Sequence, residues 1–246
     1  MDASSSWSQL FTFVALWTAY ASTYLLRKPI GVIKISVADD LLVPLSSLAW
    51  LDIALLLPYA VIQMLFGGLA DKFPARCTLS VALLISSFSM FAFGRCDSLS
   101  CAVCLLVVNG AAQGICWPSC TKLLSSTFAN CSQKRSKMLG LLGTSALVGG
   151  SVGTALSVQL LDNLGWRGVF LAPSIVVASL GVMVYFMLRI SSKPDKPENN
   201  SSSPAVWKWP GVRELAGCVF CLKMVRYALY MWLPVFLEKE CGCLCM

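Results

Sequence analysis

The chain has 246 residues, 57% of them hydrophobic and 13% charged, with a formal net charge of +7 and a mean hydropathy of +0.73. A soluble domain is about 45–50% apolar and about 25% charged, so this chain lacks the polar groups to cover a water-facing surface, and the bilayer is its natural solvent. The positive charge does not mark a nucleic-acid binder, because the Lys and Arg residues punctuate apolar runs as membrane loops do.

Seven apolar runs are long enough to cross hydrocarbon, which takes about 20 residues of helix. In chain order they cover residues 7–26, 47–69, 78–93, 99–124, 138–161, 169–188 and 215–237. The first extends past Arg27 toward Ile35. It has neither a basic leader nor a small-residue cleavage site, so it is expected to stay as a signal anchor. The second run ends in the charged turn Asp71-Lys72-Phe73-Pro74-Ala75-Arg76. Asp162 to Arg167 forms a short turn between the fifth and sixth runs. The Ser-, Pro-, Lys- and Asn-rich stretch 190–210 reads as a flexible linker.

These breaks predict an all-α polytopic membrane protein. A six-helix transmembrane bundle occupies residues 1–189, the cytoplasmic linker residues 190–210, and a seventh helix with a Cys-rich tail residues 211–246. With the N-terminus in the cytoplasm, Lys72, Arg76, Lys122, Lys134, Arg135, Lys137 and the linker cations fall inside. Lys34, Arg95, Arg167 and Lys239 fall in outer loops. The positive-inside bias therefore selects a cytoplasmic N-terminus. The sequons at Asn130 and Asn200 then lie on cytoplasmic loops and are expected to stay unmodified. Endoplasmic reticulum and plasma membrane both fit.

Ionisable groups inside membrane helices cost about 2.5–3.5 kcal/mol each on the insertion scale and tend to line pathways. Arg27 and Lys28 lie on the first helix and Lys223 and Arg226 on the seventh, with Asp52 near the outer end of the second. Tyr20, Tyr24, Arg27 or Lys28, and Gly31 recur at helical spacing, as do Lys223, Arg226, Tyr227 and Tyr230. Tyrosine hydroxyls around an arginine suit an anion, since the guanidinium fork grips phosphate through paired donors. The alternative for both sets is an interfacial anchor at a helix end. The glycines of the fifth run (Gly140, Gly143, Gly149, Gly150, Gly153) read equally as close-packing positions. Trp117-Pro118 is a candidate kink in the fourth.

Twelve cysteines and no histidine favour small buried hydrophobes over redox or metal chemistry. No nucleophile–base pair and no ligand cluster stands out, so no catalytic residue, metal or cofactor is expected and the chain is not read as an enzyme.

The stretch from Gly67 through Asp71, Lys72 and Arg76 resembles the loop between helices two and three of the major facilitator superfamily, with Pro74 and Ala75 in place of the usual Gly and Arg. The resemblance implies that Asp71, with Lys72 and Arg76, holds a charge network stabilising one state of the transport cycle. Within that superfamily the chain is similar to the organophosphate:phosphate antiporters, which include glycerol-3-phosphate transporters and sugar-phosphate exchangers (solute carrier family 37). The likeness rests on Tyr24-Leu25-Leu26-Arg27-Lys28, Trp117-Pro118-Ser119-Cys120, Val148-Gly149-Gly150 and Val225-Arg226-Tyr227 with Trp232.

The resemblance implies exchange of an organic phosphate for inorganic phosphate, with Arg27 and Arg226 on the phosphate and Lys28, Tyr24, Lys223 and Tyr227 around them. Two positions depart from the family: Gln63 stands where it has a lysine and Ala146 where it has a histidine. The family fold has two six-helix halves, so this chain is expected to be a truncated or short form, with a homo-oligomer or a full-length relative as partner beside the lipid and the anion. Two other readings stay open. One is a major facilitator carrier of another anion or drug, and the other a non-transporting regulator of a full-length relative.

Overall fold

The computed structural model describes residues 3–69, 73–129, 131–191 and 210–241. Among them every regular element is a helix. In order they are α1 (Ala3–Arg27), α2 (Pro29–Val32), α3 (Lys34–Asp40), a 3-10 turn (Leu45–Leu48), α4 (Ala49–Leu69), α5 (Ala75–Phe93), α6 (Leu99–Thr127), α7 (Ser132–Gly168), α8 (Leu171–Ser191) and α9 (Val212–Cys241). The chain divides into two compact units, Met1–Asp195 and Lys196–Met246. The first holds α1 to α8 and the second holds α9.

The α1 path continues through α2 and α3. Pro29 lacks an N–H, yet Lys28 N bonds Tyr24 O at 2.9 Å, Ile33 N bonds Pro29 O at 2.9 Å and Val37 N bonds Ile33 O at 2.9 Å. Proline sits at the first position of α2, where its missing donor costs least. Leu16, Ala19, Tyr20, Thr23, Leu26, Arg27 and Ile30 are buried, the three-to-four spacing of one helix face. Trp7, Leu10, Phe11 and Val14 are exposed.

Outward-facing apolar side chains recur through the first unit. Met64 is 80% exposed and Phe88 73%, while Ser86, Asn109, Gln113 and Ser145 are at most 1% exposed. Large apolar side chains facing outward, with polar ones buried among an apolar interior, are the pattern of a bundle solvated by lipid. Polar side chains then link helices across the interior. Ser80 Oγ donates to Gly181 O at 2.7 Å and Ser87 Oγ to Ser174 O at 2.5 Å, joining α5 to α8. Trp17 Nε1 donates to Thr144 Oγ1 at 3.1 Å, joining α1 to α7.

Six described helices are long and apolar enough to cross a membrane: Leu45–Leu65, Ala75–Phe93, Leu99–Thr127, Ser132–Gly168, Leu171–Leu188 and Val212–Leu237. The first run, read from sequence as the first crossing, is not among these six. Hydroxyl residues dilute its hydropathy, and Thr12, Tyr20, Ser22, Thr23 and Tyr24 are buried in the bundle.

At one end of the bundle a charge cluster collects the ends of three helices. Arg167 Nη2 lies 2.7 Å from Asp40 Oδ2 and 3.1 Å from Asp97 Oδ1, and its Nη1 donates to Cys96 O at 2.7 Å. Gly165 takes φ 65°, ψ 173° and breaks α7 just before this arginine, as the turn read from sequence requires. Lys34 departs from the sequence reading. It is no loop cation; it lies in α3, fully buried, with its Nζ 2.6 Å from Asp52 Oδ2 of α4.

Helix crossings depend on glycine at a few positions. A Cβ at Gly110 of α6 would stand 2.2 Å from Leu55 O of α4, whereas one at Gly140 of α7 would meet nothing within 4 Å. Gly110→Ala is therefore expected to force α4 and α6 apart and destabilise the protein by about 1–3 kcal/mol. Gly140→Ala should be stabilising by up to about 1 kcal/mol, because alanine is the better helix former. Thermal unfolding of the two variants in one detergent checks the contrast.

Candidate functional site

Arg27 closes the last turn of α1 and is 2% exposed. Its Nε donates to Gln113 Oε1 of α6 at 2.9 Å. An arginine only donates, so this bond fixes the Gln113 amide with its oxygen toward the guanidinium and its nitrogen away. That nitrogen donates to Asn109 Oδ1 at 3.1 Å, Ser86 Oγ at 3.2 Å and Thr23 O at 3.4 Å. Ser86 Oγ in turn donates to Asn109 Oδ1. One polar network thus joins α1, α5 and α6 and sets where the guanidinium sits.

Aromatic rings complete the surroundings. The Arg27 Cζ lies 4.3 Å from the Tyr59 ring centroid and 5.3 Å from that of Tyr24, within the range of cation–π attraction. Tyr20 stands edge-on to Tyr24 at 5.9 Å and against Trp117 at 4.9 Å. Gln113 and the two rings hold the guanidinium in place through neutral groups, an amide and two tyrosines.

Lys28 follows on the next stretch of the same path and is half-buried. Its stem lies along α7: a Cβ at Gly150 would stand 3.3 Å from Lys28 Cε, and one at Gly153 3.2 Å from Lys28 Cβ. A Cβ at Gly149 would be 2.4 Å from Ala21 O. These three glycines therefore let α7 approach α1, whereas Gly140 and Gly143 have open space beside them. The glycine-rich run thus divides into a packing half and an open half.

Lys223 and Arg226 are exposed and Tyr227 is half-buried, all on α9 of the second unit. Their spacing of three and four residues puts them on one face of that helix. In the loop read as a gate, Gly67 lies in α4 and Arg76, half-buried, in the first turn of α5. Asp71 and Lys72 lie outside the described residues, as do most of the 190–210 linker, the last five residues, Asn130 and Asn200.

Around Arg27 the structure brings together Tyr24, which the sequence singles out, and Gln113, Tyr59 and Asn109, which it does not. The signal for Gln113 was present: an amide within an otherwise apolar run needs a partner inside the bundle. Tyr59 carried no such signal, since one tyrosine after Pro58 in an apolar run is ordinary. Gln63 and Ala146, the two departures from the family pattern, are both half-buried. Among the described residues no group of three His, Cys, Asp or Glu side chains could hold a metal ion.

The profile of the Major Facilitator Superfamily matches residues 13–243. The chain belongs to this superfamily. It is similar to a putative glycerol-3-phosphate transporter 2 of Arabidopsis thaliana, at 23% identity over 94% of this chain and 55% of that protein. It is also similar to a glucose-6-phosphate exchanger of Bos taurus, at 22% identity over 95% of this chain and 62% of that one. A probable hexose phosphate transport protein of Chlamydia trachomatis is 25% identical over 72% of this chain and 38% of its own length. Among solved structures, the fold matches a bacterial homologue of the human lysosomal transporter Spinster in an inward-facing, unoccupied conformation. The TM-score there is 0.72 and the identity 15%, over 96% of this chain and 56% of that one. The chain spans about half the length of the relatives it matches. It is a multi-pass membrane protein of transporter ancestry.

Proposed function

We propose that this chain carries the N-terminal half of an organic-phosphate transporter, which exchanges glycerol-3-phosphate or a sugar phosphate for inorganic phosphate. The observation that carries the reading is Arg27: a guanidinium buried inside a lipid-solvated bundle, held by the neutral Gln113 amide and ringed by tyrosine. A permanent cation in that position attracts an anion and presents it a rigid fork of donors. Names of relatives that carry glycerol-3-phosphate and hexose phosphates support phosphate as the anion's shared group.

In this reading Arg27 and Arg226 grip the phosphate, with Lys28, Lys223, Tyr24 and Tyr227 around it. The N-terminus is cytoplasmic, in the endoplasmic reticulum or the plasma membrane. Residues 1–189 form the bundle, 190–210 the linker and 211–246 the start of a second half. The bundle rocks against its counterpart around the site, and Asp71, Lys72 and Arg76 with Gly67 form the gate loop. Binding of either anion lowers the cost of reorienting the cationic site, so two anions exchange. No covalent chemistry or cofactor is involved. A second copy of the chain or a full-length relative is the protein partner in this reading.

The test is phosphate-loaded proteoliposomes containing the purified chain, alone and together with a full-length relative. Uptake of labelled glycerol-3-phosphate or glucose-6-phosphate that requires internal phosphate is the expected result. An absence of flux in both preparations, from correctly inserted protein, rules out transport. Flux only with the relative, altered in rate by this chain, assigns it a regulatory role.

A further inference from the structure

Two thiols meet at the end of the bundle where Arg167 gathers Asp40 and Asp97. The Cys96 sulfur lies 3.1 Å from the Cys101 sulfur, about 1 Å beyond the length of a disulfide bond. Both are unbonded thiols here. The backbone brings them together without help from the sulfurs. Cys96 ends the turn after α5, its N bonded to Phe93 O at 3.1 Å. Cys101 sits in the first turn of α6, its N bonded at 3.3 Å to the capping Ser98 Oγ. Cys96 is buried and Cys101 exposed, so one sulfur is open to a reagent and the other waits behind it.

We propose that Cys96 and Cys101 are a redox modification site that closes a disulfide across the α5–α6 turn. The oxidant is a small-molecule disulfide such as oxidised glutathione. The exposed Cys101 thiolate attacks one of its sulfurs, that S–S bond breaks, and one glutathione leaves as a thiolate that takes up a proton. Cys96 gives its proton to solvent and attacks the Cys101 sulfur of the mixed disulfide, expelling the second glutathione. Two protein thiols and one glutathione disulfide become one protein disulfide and two glutathione thiols.

The site matters because of what its loop holds. The Cys96 carbonyl and the Asp97 carboxylate are both partners of Arg167, and Arg167 also pairs with Asp40 at the end of α3. Closing the ring of residues 96–101 fixes two of those three partners and staples the cluster. Burial pushes the Cys96 thiol up to about 12, so little of it is thiolate at neutral pH. Thiolate is the attacking form, so closure speeds up as pH rises. The proposed cytoplasmic N-terminus puts this loop on the opposite side of the membrane, where disulfides persist.

The test uses the purified full chain in detergent, treated with oxidised glutathione or with dithiothreitol, then alkylated under denaturing conditions and digested. The expected result is a peptide spanning residues 96–101 that has lost two hydrogens and takes up no alkylating agent. Its yield rises with pH, and the oxidised protein melts a few degrees above the reduced one. Cys101→Ser should abolish both changes and leave the reduced melting temperature unmoved. A Cys101–Cys104 bond, or both thiols alkylated after oxidation at every pH, overturns the proposal. The orientation is read separately, by labelling reduced Cys101 with an impermeant maleimide from each side of sealed vesicles. Labelling from the cytoplasmic side alone overturns the orientation and leaves the disulfide chemistry measured in detergent standing.

Discussion

Arg27→Ala should lower phosphate-dependent uptake by about 30-fold to several-thousand-fold, because removing one partner of a buried, hydrogen-bonded ion pair costs about 2–5 kcal/mol. A phosphate drawn into a water-poor bundle loses its hydration, and Arg27 is the buried cation presented there by Gln113, Tyr24 and Tyr59. Arg27→Lys keeps the charge and loses both the planar fork and the Nε bond to Gln113, so its uptake should fall between wild type and Ala. Gln113→Leu leaves the guanidinium intact but unaims it; a fall of about tenfold is expected for one misplaced charge-assisted bond. Initial rates in proteoliposomes, with each variant's melting temperature and insertion checked beside them, give the order. Wild-type uptake in Arg27→Ala protein that is correctly inserted would remove Arg27 from the site.

The helices were legible because a membrane helix announces itself twice, by length and by composition. Residues 99–124 and 215–237 were read from sequence, and α6 and α9 enclose both with a few residues added at the ends. Charge placement was less legible. Lys34 looks like a loop cation, since an apolar run ends near it and Asp39 and Asp40 follow. Only the continuation of α1 through α2 and α3 carries it into the bundle opposite Asp52. Nothing in the one-dimensional pattern states that two charges 18 positions apart meet across a helix hairpin. The same holds for Arg167, whose partners Asp40 and Asp97 come from the end of α3 and from the turn between α5 and α6.

The site was half legible for a related reason. A lone cation in an apolar run is conspicuous, so Arg27 and Lys28 stand out in the sequence. The groups that aim it are neutral and sit on other helices. Gln113 reaches Arg27 from 86 positions away, and Tyr59 meets it only because Gly110 and Gly114 let α4 lie close against α6. Each supporting residue is ordinary by itself, and their convergence is a property of packing.

The Lys34–Asp52 pair carries the second large effect. Lys34 is fully buried and the Asp52 side chain is 11% exposed, with 2.6 Å between Nζ and Oδ2. Taking two ions out of water costs several kcal/mol each, and their attraction repays this only while both are present. Asp52→Leu alone leaves a lysine buried without its carboxylate and should destabilise the bundle by about 3–5 kcal/mol. Lys34→Met alone takes the ammonium away from the buried carboxylate and should cost a similar amount. The double variant, Lys34→Met with Asp52→Leu, removes both desolvation penalties and should regain most or all of the loss, since apolar replacements of buried pairs are often neutral or stabilising by about 1–4 kcal/mol. The sign of the coupling is therefore the measurement, read from a double-mutant cycle of unfolding in one detergent. Additive losses would mean that the two side chains are near neighbours with no energetic link. A strongly non-additive cycle means that α3 is registered against α4 by charge, so either charge changed alone loosens the helix path that also carries Arg27.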